Sequence, residues 1–346
     1  ALQAEQPFAA GRRPSRLWRY ARRALPGVAF GGIREMAEDV ADALADRSVD
    51  AAVLSGKATY PVLGALDRVP VLADVCDATS IRRRSEIALA SGFGKSAPIG
   101  AWASVRWVER QIERRAAHAT FASERDRDAL RWAGPSSIVP NGIDHAYWHR
   151  SSATLGCNSV VFAGKLDYPP NEDAALWLTT SIMPLVRQTI PDAELTLVGR
   201  APTTRLYEAA RRHGAVVTGE VPDVRPYLDD ASVFAAPLRA ASGIQNKVLD
   251  ALSMAVPVVA TPPAAGGLIR NGARPPLTVA GDESTFAAAL VEHLRRAAID
   301  PTPHLEGRTW VTERFDWGRS VASVDALLHA VREAGRPEVT RWRLSR

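Results

Sequence analysis

Residues 242–261 read Ser-Gly-Ile-Gln-Asn-Lys-Val-Leu-Asp-Ala-Leu-Ser-Met-Ala-Val-Pro-Val-Val-Ala-Thr. A turn of small residues at Ser242-Gly243 runs into a helical stretch that carries Lys247 and Asp250. Pro257 stops that stretch, and the Val-Val-Ala run behind it has the apolar, β-branched character of a buried parallel strand. A helix entered from such a turn offers unpaired N–H groups and a partial positive charge to an anion. Gly243 lets the backbone approach that anion closely, with Ile244 beside it, and Lys247 and Asp250 fall on much the same side of the helix. A cation and a carboxylate then face one ligand. A diphosphate joined to a ribose asks for that pairing: charge for the phosphates, and an acceptor for two sugar hydroxyls.

Working outward, short apolar runs alternate with longer helical patterns, the signature of a parallel sheet wound with helices. The class is α/β. In the second half strands are expected at 159–163, 194–198, 215–218, 232–236, 256–260 and 277–279. In the first half they are expected at 50–54, 69–75, 119–122 and 136–139, with helices near 32–45 and 101–116. Ser123 and Asp126 read as a capping box, and Asn171 as a helix N-cap followed by Glu172 and Asp173. Glu109 and Glu113 read as exposed helical acids without a role.

Ligands of open parallel sheets lie beyond the carboxyl ends of the strands. The residues found there form a consistent set: Gly164-Lys165, Gly199-Arg200, Gly219-Glu220-Val221-Pro222-Asp223, and Pro237-Leu238-Arg239 leading to Ser242 and Gly243. A glycine after a strand is by default only a turn, and a helical lysine only a solvated one. What favours a site is the coincidence of four successive strand ends, each small, polar or basic.

The 346 residues fit two domains of common size, and 46% apolar with 23% charged residues fits a packed globular chain. Cys76 and Cys157 alone argue against a disulfide framework or a cysteine-built zinc site, so a reducing cytoplasm is the expected location. The prolines at 257, 262 and 263 break the longest apolar stretch, and neither a membrane span nor a signal peptide is expected. The basic surplus behind the net charge of +5 is almost all arginine, the only lysines being Lys57, Lys95, Lys165 and Lys247. The arginines at 12, 13, 16, 19, 22 and 23 suit either a solvated lead-in or peripheral contact with the inner, anionic membrane face. No strand is followed by Gly-x-Gly-x-x-Gly with an acid about 20 residues on, which argues against a dehydrogenase. Nucleic acid is not an expected partner.

Val139-Pro140-Asn141-Gly142-Ile143-Asp144, Val161-Phe162-Ala163-Gly164-Lys165-Leu166 and the block ending in Pro257-Val258-Val259-Ala260 resemble motifs of the retaining family 4 glycosyltransferases. The Gly-Ile-Gln-Asn-Lys turn is similar to one branch of that family. The resemblance implies a GT-B fold, two Rossmann-like domains facing across a cleft. It divides the chain into an acceptor-side domain at 1–150, a nucleotide-sugar domain at 151–315 and a C-terminal helix, 316–346, returning to the first domain. The first domain is expected to be short, since nothing before residue 50 matches the family's opening strand and Gly-rich loop.

The resemblance also implies a nucleotide-diphosphate sugar as donor, an unassigned acceptor, and sugar transfer with retention. Lys165, Lys247 and the Gly243 amide would stabilise the leaving diphosphate, so that no cofactor or metal is required. The donor contacts would be Gly164, Gly199, Arg200, Gly219, Val221, Arg239, Ser242, Gly243, Ile244 and Asp250, with Asp77 at the family's active-site position on the acceptor side. Ser242 and Asp250 stand where the family commonly has two glutamates, and Lys247 or Arg239 would replace a second family cation. Two rivals keep the fold: a non-catalytic nucleotide- or carbohydrate-binding protein, and a nucleotide-sugar epimerase.

Overall fold

The computed structural model describes residues 31–46, 48–89 and 96–334, and the basic amino-terminal stretch lies outside them. The first lobe runs α1 (Gly31–Asp46), β1 (Ala52–Ser55), β2 (Val71–Asp74), α2 (Thr79–Leu89), α3 (Ser96–Arg115), β3 (His118–Phe121), α4 (Glu124–Leu130) and β4 (Ser136–Ile138). Its strands form a small parallel sheet in the order β1-β2-β3-β4.

The second lobe follows with β5 (Ser159–Ala163), α5 (Pro169–Trp177), α6 (Met183–Thr189), β6 (Glu194–Val198), α7 (Thr204–His213), β7 (Ala215–Gly219), α8 (Arg225–Asp229) and β8 (Val233–Ala236). It closes with α9 (Asn246–Ser253), β9 (Val258–Ala260), α10 (Pro262–Gly266), β10 (Thr278–Val279), α11 (Glu283–Ile299), α12 (Leu305–Arg314) and α13 (Trp317–Ala334). Its parallel sheet has the order β10-β9-β8-β5-β6-β7. The order reverses between β5 and β8, which pair through Val160 and Val161 against Val233 and Phe234. Such a switch point opens a crevice beyond the strand ends, and here it opens between Gly164-Lys165 and the 237–243 loop.

Every strand of the reading is present, with ends shifted by at most two residues. The runs were legible because strands covered on both faces are apolar throughout: β8 is buried at all four positions. The second lobe holds one continuous core in which Phe162, Phe234, Phe286, Leu166 and Met183 are inaccessible to solvent, each contributing roughly 1.5–3 kcal/mol by burial. The first lobe has two smaller clusters, one around Leu54, Leu63 and Val71, the other around Phe121 and Leu130.

Three local expectations need correction. Ser123 is the N-cap of α4 and accepts the Asp126 N–H at 3.2 Å, but the Asp126 carboxylate does not reach back to complete a box; it crosses to the second lobe. Asn171 is not an N-cap, because Pro169 and Pro170 start α5 with Tyr168 at the cap, leaving Asn171 inside the first turn. Glu109 is fully buried, not exposed: its carboxylate accepts the Ser80 N–H at 3.1 Å and the Ser80 hydroxyl at 2.5 Å. Glu113, half-buried, accepts the Ala133 N–H at 2.7 Å.

The lobes are stitched near the hinge. Asn141 Nδ2 donates to Asn246 Oδ1 at 3.0 Å, Ile143 bridges to Asp316, and Ser320 Oγ donates to the Pro140 carbonyl at 2.8 Å. From there α13 packs back against β2.

Candidate active site

The floor of the crevice is built by glycines. Gly164 closes β5, and a Cβ there would lie 2.9 Å from Asn171 Nδ2 and 3.0 Å from Lys247 Nζ. At Gly199, φ is +149°, and a Cβ would fall 1.8 Å from the Gly164 carbonyl oxygen, so the loops after β5 and β6 abut with no room for a side chain. Lys247 follows Asn246 at the start of α9; its Nζ donates to Asn171 Oδ1 and stands 4.9 Å above the Phe162 ring. Asn171 Nδ2 in turn donates to the Lys165 carbonyl at 2.9 Å. Lys247, Asn171 and the Lys165 backbone are thus hydrogen-bonded in series, with Gly164 packed against them. Lys165 itself is exposed at its rim, 3.3 Å from Asp167.

Burial pushes the Lys247 ammonium down to about 8, with Asp250 holding part of it up. Burial likewise pushes the Asp250 carboxyl up to about 7, opposed by Lys247. Asp250 accepts no hydrogen bond among the described residues, which leaves both its oxygens for a ligand. Beyond Gly243 the amides of Ile244, Gln245, Asn246 and Lys247 have no protein acceptor among the described residues.

The opposite wall comes from the first lobe. The β2 end turns through Cys76, at φ +60°, into Asp77. Lys57 Nζ donates to the Val75 carbonyl at 2.7 Å and to Asp77 Oδ1 at 3.1 Å, and Thr79 donates to the same oxygen at 2.7 Å. Across the cleft, Ser242 Oγ donates to Asp77 Oδ2 at 2.7 Å. Burial works against the Asp77 charge, but the Lys57 ammonium and the Ser242 and Thr79 hydroxyls outweigh it and hold the carboxyl below its usual range.

Next to this contact a first-lobe pair grips the Gly243 peptide. The buried Asp126 carboxylate accepts the Gly243 N–H at 2.6 Å, while Arg125 donates to the Gly243 carbonyl at 3.1 Å and to the Pro263 carbonyl at 2.6 Å. Gly243 holds φ +64°, a left-handed conformation that costs other residues roughly 1–2 kcal/mol. The Gly243 amide, expected to face the diphosphate, is therefore taken by Asp126. Asp126-Arg127-Asp128 is an Asp-x-Asp triplet, but Asp128 is paired with Arg127 at 2.8 Å. No group of three or more His, Cys, Asp or Glu among the described residues is placed to hold a metal ion.

Other expected contacts stand apart. Arg239 is turned to Asp173 and lies over Trp177 at 5.2 Å, so its charge is already committed. Gly219 ends β7, an edge strand, and Val221 follows it and packs on the core. Arg200 is exposed on the loop after β6. Three residues that the sequence reading did not place at the site are found there: Lys57, and Asn171 and Asp126, which were read only as helix caps. The only signal for Lys57 was its being one of four lysines in an arginine-rich chain.

Residues 157–296 match the family model described as "Glycosyl transferases group 1". Over that stretch the chain is similar to a group 1 glycosyltransferase domain. Sucrose-phosphate synthase from Thermosynechococcus elongatus has a similar structure, with a TM-score of 0.71 at 17% identity over 88% of this chain and 79% of that one. Anabaena Alr3699/HepE in complex with UDP-glucose is similar at TM-score 0.65 and 14% identity, over 86% and 82%. A trehalose-6-phosphate synthase is similar at TM-score 0.59 and 12% identity, over 91% and 83%. No curated protein sequence matches the chain. Two facing parallel sheets in this arrangement are the GT-B fold that these structures share. Among the described residues no helix is long and apolar enough to cross a membrane.

Proposed function

We propose that the protein transfers a sugar from a nucleoside diphosphate to an acceptor hydroxyl with retention of configuration. The observation that carries this reading is the Lys247–Asn171–Gly164 cluster at the switch point, with the open carboxylate of Asp250 one turn away. Lys247, Lys165 and the α9 amides bind the diphosphate, and Asp250 binds the ribose hydroxyls. Gly199 shapes the floor, while Arg200, Gly219 and Val221 border the base side. As the anomeric carbon–oxygen bond breaks, the diphosphate leaves with the electron pair and these cations take up its charge. The acceptor oxygen bonds to the anomeric carbon from the same face, and its proton passes to the departing phosphate oxygen. Asp77 and Ser242 line the acceptor side. A uridine nucleotide is the first donor to test, because Alr3699/HepE is similar in fold and holds UDP-glucose.

The lobes divide at about residue 150, with α13 returning to the first, and residues 335–346 lie outside the described residues. Incubating the protein with a panel of nucleotide sugars, with and without alcohol acceptors, tests this function. Transfer releases nucleoside diphosphate and gives a product with the donor's anomeric configuration by NMR. Binding without turnover on every acceptor supports a non-catalytic relative instead. Nucleotide release without an acceptor, accompanied by an epimerised sugar, supports an epimerase.

A further inference from the structure

A second cavity, of ≈ 380 Å³, lies away from the donor crevice, where Ile138 and Pro140 of the first lobe meet Arg270 and the start of α13. Its walls carry three guanidinium groups, Arg270, Arg314 and Arg319. One carboxylate, Asp316, also lines the cavity, and its Oδ1 accepts the Arg319 backbone N–H at 2.9 Å. Outside the lining Glu313 pairs with Arg314 at 2.8 Å, and Glu124 accepts the Asn271 N–H at 2.9 Å. The arginines spend few of their donors on the protein. Arg270 gives one N–H to the Arg314 carbonyl at 3.4 Å, and Arg319 one amino group to the carbonyls of Thr312 and Glu313. Each guanidinium has five N–H donors, so most of them have no protein acceptor among the described residues.

Three guanidinium charges against the single Asp316 carboxylate leave the lining net positive, which favours an added anion. Burial, together with the charges of Arg319 and Arg314, presses the Arg270 pKa down, and only Glu124 opposes it. A carboxylate has two oxygens and one charge, too few for three forks. A phosphoryl group has three peripheral oxygens and close to two charges, matching planar guanidinium donors. The cavity is also larger than a bare phosphate, leaving room for an attached organic group.

We infer that the Arg270–Arg314–Arg319 cavity is a second anion site, taking a phosphoryl group carried either by a small free metabolite or by a lipid headgroup. It is separate from the diphosphate crevice and independent of the proposed transfer. Because its walls come from both lobes and from α13, an occupied site braces the lobe junction.

Thermal unfolding of the full chain with inorganic phosphate, glycerol phosphate, and vesicles of phosphatidylglycerol or phosphatidylcholine tests the site. At saturating free phosphate or glycerol phosphate the midpoint is expected to rise by roughly 2–4 °C. Retention of that rise in Lys247→Ala and its loss in the Arg270→Gln/Arg314→Gln double variant support the site. Binding to phosphatidylglycerol but not phosphatidylcholine, lost in the same double variant, supports it with a lipid as the source. If the double variant does not fold, phosphorus NMR of phosphate on the native chain, with Arg314→Lys and Arg319→Gln weakening it, gives the same readout. No response to any probe overturns the inference. So does a response unchanged in the arginine variants, or one abolished by Lys247→Ala.

Discussion

Ser242 Oγ donates to Asp77 Oδ2 at 2.7 Å, joining the turn that opens the donor helix to the strand end that faces the acceptor. Where the family commonly has a glutamate, a neutral hydroxyl holds a carboxylate of the other lobe. A second acid there would repel Asp77 across this distance; serine closes the cleft instead. Ser242→Ala is expected to lower kcat/KM about tenfold, the scale of one hydrogen bond to a charged group, while moving the melting temperature little. Steady-state kinetics beside thermal unfolding checks this, and Ser242→Glu is expected to be worse than Ser242→Ala.

The Asp77 carboxyl is held below its usual range, so its contribution to stability is present above the unfolded value of about 3.9 and is lost as pH falls through the lower native value. Urea unfolding from neutral pH down to about pH 3 is expected to show a steeper loss for the native chain than for Asp77→Asn. Parallel curves would detach Asp77 from the Lys57–Ser242 network.

Lys247 must be charged and Asp250 ionised to hold a diphosphate and a ribose, and burial has brought their pKa values to about 8 and about 7. The pH profile of kcat/KM is therefore expected to be a narrow bell with limbs near those values. Lys247→Arg is expected to remove the alkaline limb and Asp250→Asn the acidic one.

The Gly243 peptide is gripped on both sides by the first lobe. Asp126→Ala leaves its buried N–H without an acceptor and strips Arg125 of a partner 3.5 Å away, at an expected cost of roughly 1–3 kcal/mol. Gly199→Ala is the harsher substitution: its Cβ would sit 1.8 Å from the Gly164 oxygen, and the protein is expected not to accumulate in folded form. Denaturant titration measures the first effect and soluble yield the second.

The sequence made the sheets legible because a parallel strand buried on both faces leaves an unbroken apolar run, as at β5 and β8. It also led to the residues that line the crevice, Gly164, Gly199 and Lys247, since residues beyond the strand ends follow those runs directly. The cleft's closure was not legible. Asp126 and Gly243 lie 117 residues apart, and no local pattern tells an acid that caps its own helix from one that crosses to another lobe. Asn171 was misplaced because Pro169 and Pro170 start the helix earlier than a side-chain cap at 171 would. Glu109 read as exposed because α2, whose Ser80 covers it, was not anticipated.

In the proposed function Lys247, held by Asn171 over Gly164, receives the nucleotide's diphosphate. Calorimetric titration of UDP, GDP, ADP and TDP into the native chain and into Lys247→Ala tests it most directly. At least one nucleotide is expected to bind the native chain, and Lys247→Ala to weaken it by about tenfold or more, about 1.4 kcal/mol, with the melting temperature nearly unchanged. Equal affinity in both proteins, or a loss of binding matched by a loss of the fold, would contradict it.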